Sequence, residues 1–336
     1  MTEFSLIERY CQGIGVTHSS TRLGVGDDAA ILRVPDGMEL VVSVDSMVEG
    51  VHFFPEVDAA KLASKLAAVN LSDMAAMGAE PKWATLALCL PQLDDDWLSG
   101  FSAALDTISK RYGLQLIGGD TTQGPLTLTM QIMGLVEAGT ALCRDSAKPG
   151  DDVYVSQSLG DAALALAALQ GKVVLPDADL AQVLRRLETP TPQVELGLAL
   201  RGLASSCIDI SDGLVAELGH VARGSNVAIE IDLEGVPLSS SYRTYLDNGG
   251  SYILALTGGD DYQLLFTAPQ EKRAEINQVG KHLNLALSKI GQVNELDSHS
   301  DKPIDAVMLR YKDKAFELQD NSGYQHFQTK QQLDAE

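Results

Sequence analysis

Asp27 and Asp28 stand side by side in "GVGDDAAIL" (24–32), where they run into an apolar segment. Adjacent carboxylates repel each other and resist burial, so the pair belongs either in a solvated turn or beside a cation. Further Asp residues recur where apolar runs end. Asp45 follows "LVVSV", Asp120 follows "LIGG", and Asp209 closes a short run in "CIDISDG", with Asp212 three positions on. Asp73 is a different case. It lies in "AVNLSDMAAM", and the segment from Leu66 to Met77 carries no other charge. A lone carboxylate in such surroundings costs several kcal/mol unless a cation or hydrogen bonds compensate. An outward-pointing Asp73 is the plain alternative, and metal ligation explains the residue better. The others have plain alternatives too. Asp209 or Ser211 can cap a helix starting near Leu214, and Asp120 can be half of a polar turn, Gly119-Asp120-Thr121-Thr122.

Summed, oxygen-only ligands at strand ends, with no paired Cys or His, suit Mg²⁺ or Mn²⁺ and disfavour zinc and copper. Mg²⁺ keeps several waters and commonly bridges carboxylates to nucleotide phosphates. Gly24, Gly26, Gly118, Gly119, Gly258 and Gly259 each lie within a few positions of an acidic residue. Glycine lets backbone N–H groups approach phosphate oxygens closely, although turn duty explains each pair equally well. Arg144 in "LCRDSAKPG" is the cation placed to meet a phosphate, or else an ordinary surface Arg. His52 in "VEGVHFF" is a second candidate, against the reading of a satisfied core His. There is no G-x-x-x-x-G-K-[ST] loop, no G-x-G-x-x-G between strand and helix, and no H-E-x-x-H.

The elements that must position these residues follow from periodicity. "MELVVSVDS" (38–46), "KWATLALCL", "LQLIGG" and "LTLTMQIMGLV" read as strands. Residues 59–79, Ala- and Leu-rich with no Gly or Pro before Gly78, predict a helix, as does "DDDWLSGFSAALDTISKRYG". Pro149-Gly150 has the residue types of a type II turn before a new strand. The domain boundary is expected there, giving domains 1–146 and 147–330. Beyond it come a helix in "GDAALALAALQG", a Pro-punctuated connection "ETPTPQ", a strand and helix in "CIDISDGLVAELGHVAR" and the strand "VAIEIDL". "YILALTGGDDYQLLFTA" reads as two strands joined by "TGGDD". Two α+β domains without a Rossmann-like opening are the expected fold class.

Composition narrows the function classes. The 336 residues carry a formal charge of -21, from 46 acidic and 25 basic residues. Such a surface repels a nucleic-acid backbone, and any anionic substrate needs a metal ion or a focused basic spot. Cys11, Cys89, Cys143 and Cys207 are scattered, the first residues lack the features of a signal peptide, and no apolar run is long enough for a membrane helix. A reduced, cytoplasmic protein with neither nucleic-acid nor membrane partners is expected.

"GVGDDAAIL", "SVDSMVEGVHF", "AVNLSDMAAMGAEPKWATLAL", "LIGGDTTQGPLTLTMQIMG", "RDSAKPGDDVYVS", "IDISDGLVAELGH" and "TGGDDYQLLF" occur in this order. In that order they resemble the thiamine-monophosphate kinases. These are relatives of aminoimidazole ribonucleotide synthetase, selenophosphate synthetase and the hydrogenase-maturation dehydratase. The resemblance covers the chain from about residue 3 to "GYQHF" at 323–327. It implies two α/β domains of the synthetase type, with a homodimer formed through the N-terminal sheets. It also implies ATP-dependent phosphorylation of thiamine monophosphate to thiamine diphosphate, with several Mg²⁺ ions, room for a monovalent cation such as K⁺, and no phosphoenzyme. Carried over motif by motif, Asp28, Ser43, Asp45, Asp73, Asp120, Asp209 and Asp212 would hold Mg²⁺, with Asp27 in the first metal motif. Gly119, Asp120, Arg144 and Ser211 would contact ATP, and His52, Asp260 and Tyr324 the thiamine phosphate.

The chain departs from the family where "GGDDYQL" stands for the usual "GGEDYEL", so Asp260 is one methylene short and Gln263 lacks a charge. It also has only small residues, Ser102 and Ala103, where relatives often carry a nucleotide-facing Tyr. The sister activities fit less well: the "DGVGTK"-like segment of the purine cycloligase is missing, Cys11 has no nearby Lys, and the chain ends "QLDAE" rather than in a reactive Cys. A non-catalytic metal- or nucleotide-binding homologue is the rival from another class.

Overall fold

The computed structural model describes residues 3–296 and 306–318 and divides into two compact units. The first is Met1–Leu142 with Glu188–Gly202, the second Cys143–Leu187 with the chain from Leu203 onward. A single boundary at residue 147 does not describe this arrangement, because the chain returns to the first unit for fifteen residues. The return is driven by "VELGLAL", whose Leu196 and Leu200 are fully buried there. A composition shift along the chain carries no trace of such a return.

The first unit opens with α1 (Glu3–Leu6), which passes into a π-helical turn at Ile7–Cys11. β1 (Thr21–Leu23) and β2 (Ile31–Leu32) form a small antiparallel sheet around the Asp27-Asp28 turn. Then come β3 (Met38–Val48), α2 (Ala59–Ala76), β4 (Glu80–Leu90), α3 (Asp95–Arg111), β5 (Gln115–Gln123) and β6 (Thr127–Glu137). The Asp58 carboxylate starts α2 by accepting from the N–H groups of Ala60 and Lys61, and Asp94 does the same for α3. The main sheet runs β3-β6-β4-β5, with only the β4–β5 pair parallel. Leu128, Met130 and Ile132 alternate along β6 on the buried face, against which α2 packs. On β3, Leu40, Val42 and Val44 point to the other face and are 43%, 49% and 57% exposed.

The second unit begins with β7 (Asp152–Ser156), after a turn at Pro149-Gly150 closed by Asp151 N–H donating to Lys148 O. It continues through α4 (Asp161–Leu169) and α5 (Asp177–Glu188). The chain then gives α6 (Val194–Leu200) to the first unit. β8 (Ser206–Asp209), α7 (Leu214–Ser225), β9 (Val227–Asp232), α8 (Ser240–Asp247), α9 (Ile253–Thr257) and β10 (Leu264–Ala268) follow. α10 (Arg273–Leu283), β11 (Leu287–Glu295), β12 (Val307–Tyr311) and β13 (Lys314–Ala315) complete it. Seven strands form one mixed sheet, β13-β12-β9-β11-β7-β10-β8. Its interior strands β7 and β10 are buried throughout. Asp152 at the start of β7 is tolerated there because Arg273 and Lys289 both bond its carboxylate, at 2.5 and 2.8 Å. These partners hold it well below the usual carboxylate range, at about 2.

One predicted strand is corrected. "ILALT" is helical, because the Leu256 amide turns back to Tyr252 O and the Tyr242 hydroxyl accepts from the Ala255 amide. An apolar run of five residues does not by itself distinguish strand from buried helix. All four cysteines are unpaired in disulfides, and among the described residues no helix is long and apolar enough to cross a membrane.

Candidate active site

In the first unit, Ser43 and Asp45 stand two residues apart on β3 and therefore share a face. They pair with Ile132 and Met130, which are buried against α2. Asp73, near the end of α2, meets Ser43 there: the Ser43 hydroxyl donates to Asp73 Oδ2 at 2.5 Å. Strand and helix thus bring together residues thirty positions apart, as the metal reading requires. Among the described residues no group of three or more His, Cys, Asp or Glu side chains could enclose a metal ion. Two carboxylates and a hydroxyl nevertheless suit Mg²⁺, which takes one or two protein carboxylates and completes its shell with water and phosphate.

The remaining first-unit candidates stand apart from this group. Asp45, Met130, Leu86 and Gly119 form one row across the sheet, so Gly119 and Asp120 lie three strand spacings away, about 14 Å along the sheet. Gly119 is obligatory, since a Cβ there would fall 1.8 Å from Leu86 O. Asp27 and Asp28 are exposed in the turn between β1 and β2, where Asp28 N–H donates to Asp27 Oδ1 at 2.8 Å. His52 is half-buried in a turn and accepts from Val48 N–H at Nδ1, 3.0 Å away, which leaves the neutral ring's proton on Nε2.

In the second unit, Asp209 ends β8 opposite Leu264, and residues 210–213 turn the chain into α7. The alternative of a capping Asp209 or Ser211 does not hold, because the N-cap is Gly213 and no side chain caps the helix. A second loop, 258–262, lies against this turn. Asp260 N–H donates to Ser211 O at 2.9 Å and Tyr262 N–H to Ile210 O at 2.8 Å. The approach is so close that a Cβ at Gly259 would meet Ser211 O at 2.2 Å. Asp260 and Tyr262 both adopt left-handed backbone, with φ of 67° and 49°. That conformation costs roughly 1–2 kcal/mol per non-glycine residue, offset here by the two backbone hydrogen bonds. Arg144 brings its positive charge to the same region, since it acts electrostatically on Glu217 and His220 of α7.

Two acids of this region, Glu217 and Asp261, are not among the residues the sequence singles out. Glu217 is buried under the turn and accepts from Asp212 N–H at 3.3 Å and Ser211 Oγ at 3.4 Å; burial pushes its carboxyl up to about 7. An acid at an apolar position among Leu214, Leu218 and Val221 was the available signal. Asp261 is buried between Asp260 and Tyr262, receives Gly160 N–H on both oxygens at 3.0 and 2.9 Å, and is pushed up to about 8 by burial. Gln263 is interior as well: its Oε1 accepts from Ser156 Oγ at 2.9 Å, and its Nε2 donates to Asp261 O at 3.2 Å. A neutral side chain there avoids setting a second buried charge beside Asp261. Tyr324 lies outside the described residues.

Residues 26–136 match the family of the AIR synthase related protein, N-terminal domain, and residues 148–301 the corresponding C-terminal domain. The thiamine-monophosphate kinase of Salmonella typhimurium is 44% identical over 87% of this chain and 90% of its own. A crystal structure of the thiamine-monophosphate kinase from Stenotrophomonas maltophilia K279a superposes with a TM-score of 0.81 at 41% identity, covering 92% of this chain and 96% of that one. A structure of AaThiL complexed with AMPPCP and TMP gives a TM-score of 0.75 at 30% identity, with coverage of 88% and 89%. With both domains matched in order, and identity this high over nearly the whole length, the chain belongs to the thiamine-monophosphate kinase family of AIR synthase related proteins.

Proposed function

We propose that the protein transfers the γ-phosphoryl group of ATP directly and in line to the phosphate of thiamine monophosphate, giving thiamine diphosphate and ADP. The observation that carries this reading is the Ser43–Asp73 contact, which sets a helix carboxylate beside a strand hydroxyl, on the same strand face as Asp45, with the oxygen donors that Mg²⁺ takes. Family membership and the AMPPCP- and TMP-bound relative support the choice of substrates.

In this reading Asp28, Ser43, Asp45, Asp73, Asp120, Asp209 and Asp212, with Asp27, hold several Mg²⁺ ions. Gly119, Asp120, Arg144 and Ser211 bind ATP, while His52, Asp260 and Tyr324 bind the thiamine phosphate. When bound, Mg²⁺ supplies the charge neutralisation that lets two polyanions approach. The chain's own residues bind and orient. Gly119 keeps the backbone bare where phosphate oxygens must come close, and Arg144 contributes positive charge beside the Ser211-Asp212 turn. The attacking phosphate oxygen is ionised at neutral pH, so no strong general base is required.

The homodimer is part of the proposal. Leu40, Val42 and Val44 form an apolar stripe on the open face of the first-unit sheet, the chemistry expected of a face that a second copy covers. Val44→Asp should shift sedimentation from dimer to monomer. A cytoplasmic location and room for a monovalent cation such as K⁺ belong to the same reading. Purified protein incubated with ATP, Mg²⁺ and thiamine monophosphate tests its core. Thiamine diphosphate should form, and its absence leaves the non-catalytic alternative standing.

A further inference from the structure

Resting on the kinase reading above, we propose that Tyr262 is a positioning residue that aims the Asp260 carboxylate at the cationic thiazolium of the thiamine phosphate. The Tyr262 hydroxyl donates to Asp260 Oδ1 at 2.9 Å. Both residues are half-buried, and both are locked into left-handed backbone. Asp261 between them turns inward to Gly160 N–H, so the loop presents Asp260 and Tyr262 as a pair while the acid between them anchors it. The backbone amides of the pair are tied to Ser211 O and Ile210 O, which relates the carboxylate's position to the turn assigned to ATP.

The chemistry sets the target. A carboxylate repels the substrate's phosphate and attracts its ring cation, so Asp260 serves the thiazolium end. Asp has one methylene less than the Glu usual in the family, and its reach depends more strongly on where its carboxylate plane is held. A phenol hydroxyl fixed on one oxygen sets that plane. A hydrogen bond within one loop could also merely brace the loop, so the test needs a readout that bracing would not move.

That readout is the division between KM and kcat for each substrate in the full-length protein. Tyr262→Phe keeps the ring and removes the hydroxyl. It should raise the KM for thiamine monophosphate about 5- to 10-fold, the scale of one ordinary hydrogen bond, because the hydroxyl acts on the substrate only through Asp260. The KM for ATP and kcat should stay within about 2-fold. Calorimetric titration with thiamine monophosphate should show the same weakening, with the melting temperature unchanged. Because Tyr262 acts through Asp260, the pair Asp260→Asn/Tyr262→Phe should bind no more weakly than Asp260→Asn alone. An equal loss for ATP, a fall in melting temperature that accompanies losses for both substrates, or full additivity in the double variant would overturn the inference. An active wild type with an unaltered Tyr262→Phe would overturn it alone, whereas a wild type that makes no thiamine diphosphate would overturn the kinase reading with it.

Discussion

Ser43, Asp45 and Asp73 project from a long strand and a long helix, whereas Ser211, Asp212 and Asp260 sit on two short loops leaning on each other. The first group needs no special backbone. Alternation along β3 and the pitch of α2 deliver three oxygen-bearing side chains to one place, and an apolar layer behind them keeps the geometry rigid. The second group is held by backbone hydrogen bonds, two left-handed residues and glycines too tightly packed to accept a methyl. In the first unit, the proposed function therefore rests on side-chain identity and stability on the elements beneath. In the second, the same contacts serve both, and a change that disturbs the loop should disturb the fold.

Asp73→Asn probes the first half of this contrast and carries the largest expected effect. Turnover should fall by a factor on the order of 10³, the scale of losing an essential charge at a reacting phosphate. The amide oxygen can still accept from Ser43, so the melting temperature should hold. Near-normal activity would remove Asp73 from the site. Gly259→Ala probes the second half. Its methyl would lie 2.2 Å from Ser211 O, and the expected loss is about 2–3 kcal/mol in urea unfolding, together with weaker binding of both substrates. A stable, fully active Ala variant would break the comparison.

Acid sharpens the contrast further. Asp152 is held at about 2, below its ordinary value, so its ion pairs stabilise the second unit fully above about pH 5 and are lost as pH falls from about 4 to about 2. Its partners are half exposed, which brings the expected contribution down to about 1–2 kcal/mol after solvent screening. Trp83 and Trp97, the two tryptophans, both lie in the first unit. In an acid titration, circular dichroism should change before tryptophan fluorescence, and coincident curves would argue against the unit-specific effect. The smallest effect is expected for Ser43→Ala, which removes one hydrogen bond to Asp73. Turnover should drop about 5- to 10-fold, with a higher Mg²⁺ requirement and unchanged stability.

Legibility followed the same division. The strand at Met38–Val48 and the helix at Ala59–Ala76 were readable because alternation and helical spacing are local properties, and Asp73 stood out as the only charge in an apolar stretch. "ILALT" was misread because five apolar residues satisfy strand and helix alike, and only the Tyr242 hydroxyl and the turn at Tyr252 settle the choice. Glu217 was passed over because its importance lies in the Ser211-Asp212 turn folding back over it. The separation of Asp120 from Asp45 follows from strand order, which residues on either strand do not encode.

By itself the sequence determined which residues are candidates for the chemistry, namely recurrent aspartates without cysteine or histidine pairs, and it determined the strands and helices whose periods are written in neighbouring positions. Tertiary structure alone decided which of these meet. It set Asp73 beside Ser43, kept Gly119 and Asp120 across the sheet, returned residues 188–202 to the first unit and pressed the 258–262 loop onto Ser211. The physical reason is range: side-chain period and capping act over a few residues, whereas strand order and loop contact are fixed by burial and hydrogen bonding between segments that the chain keeps far apart.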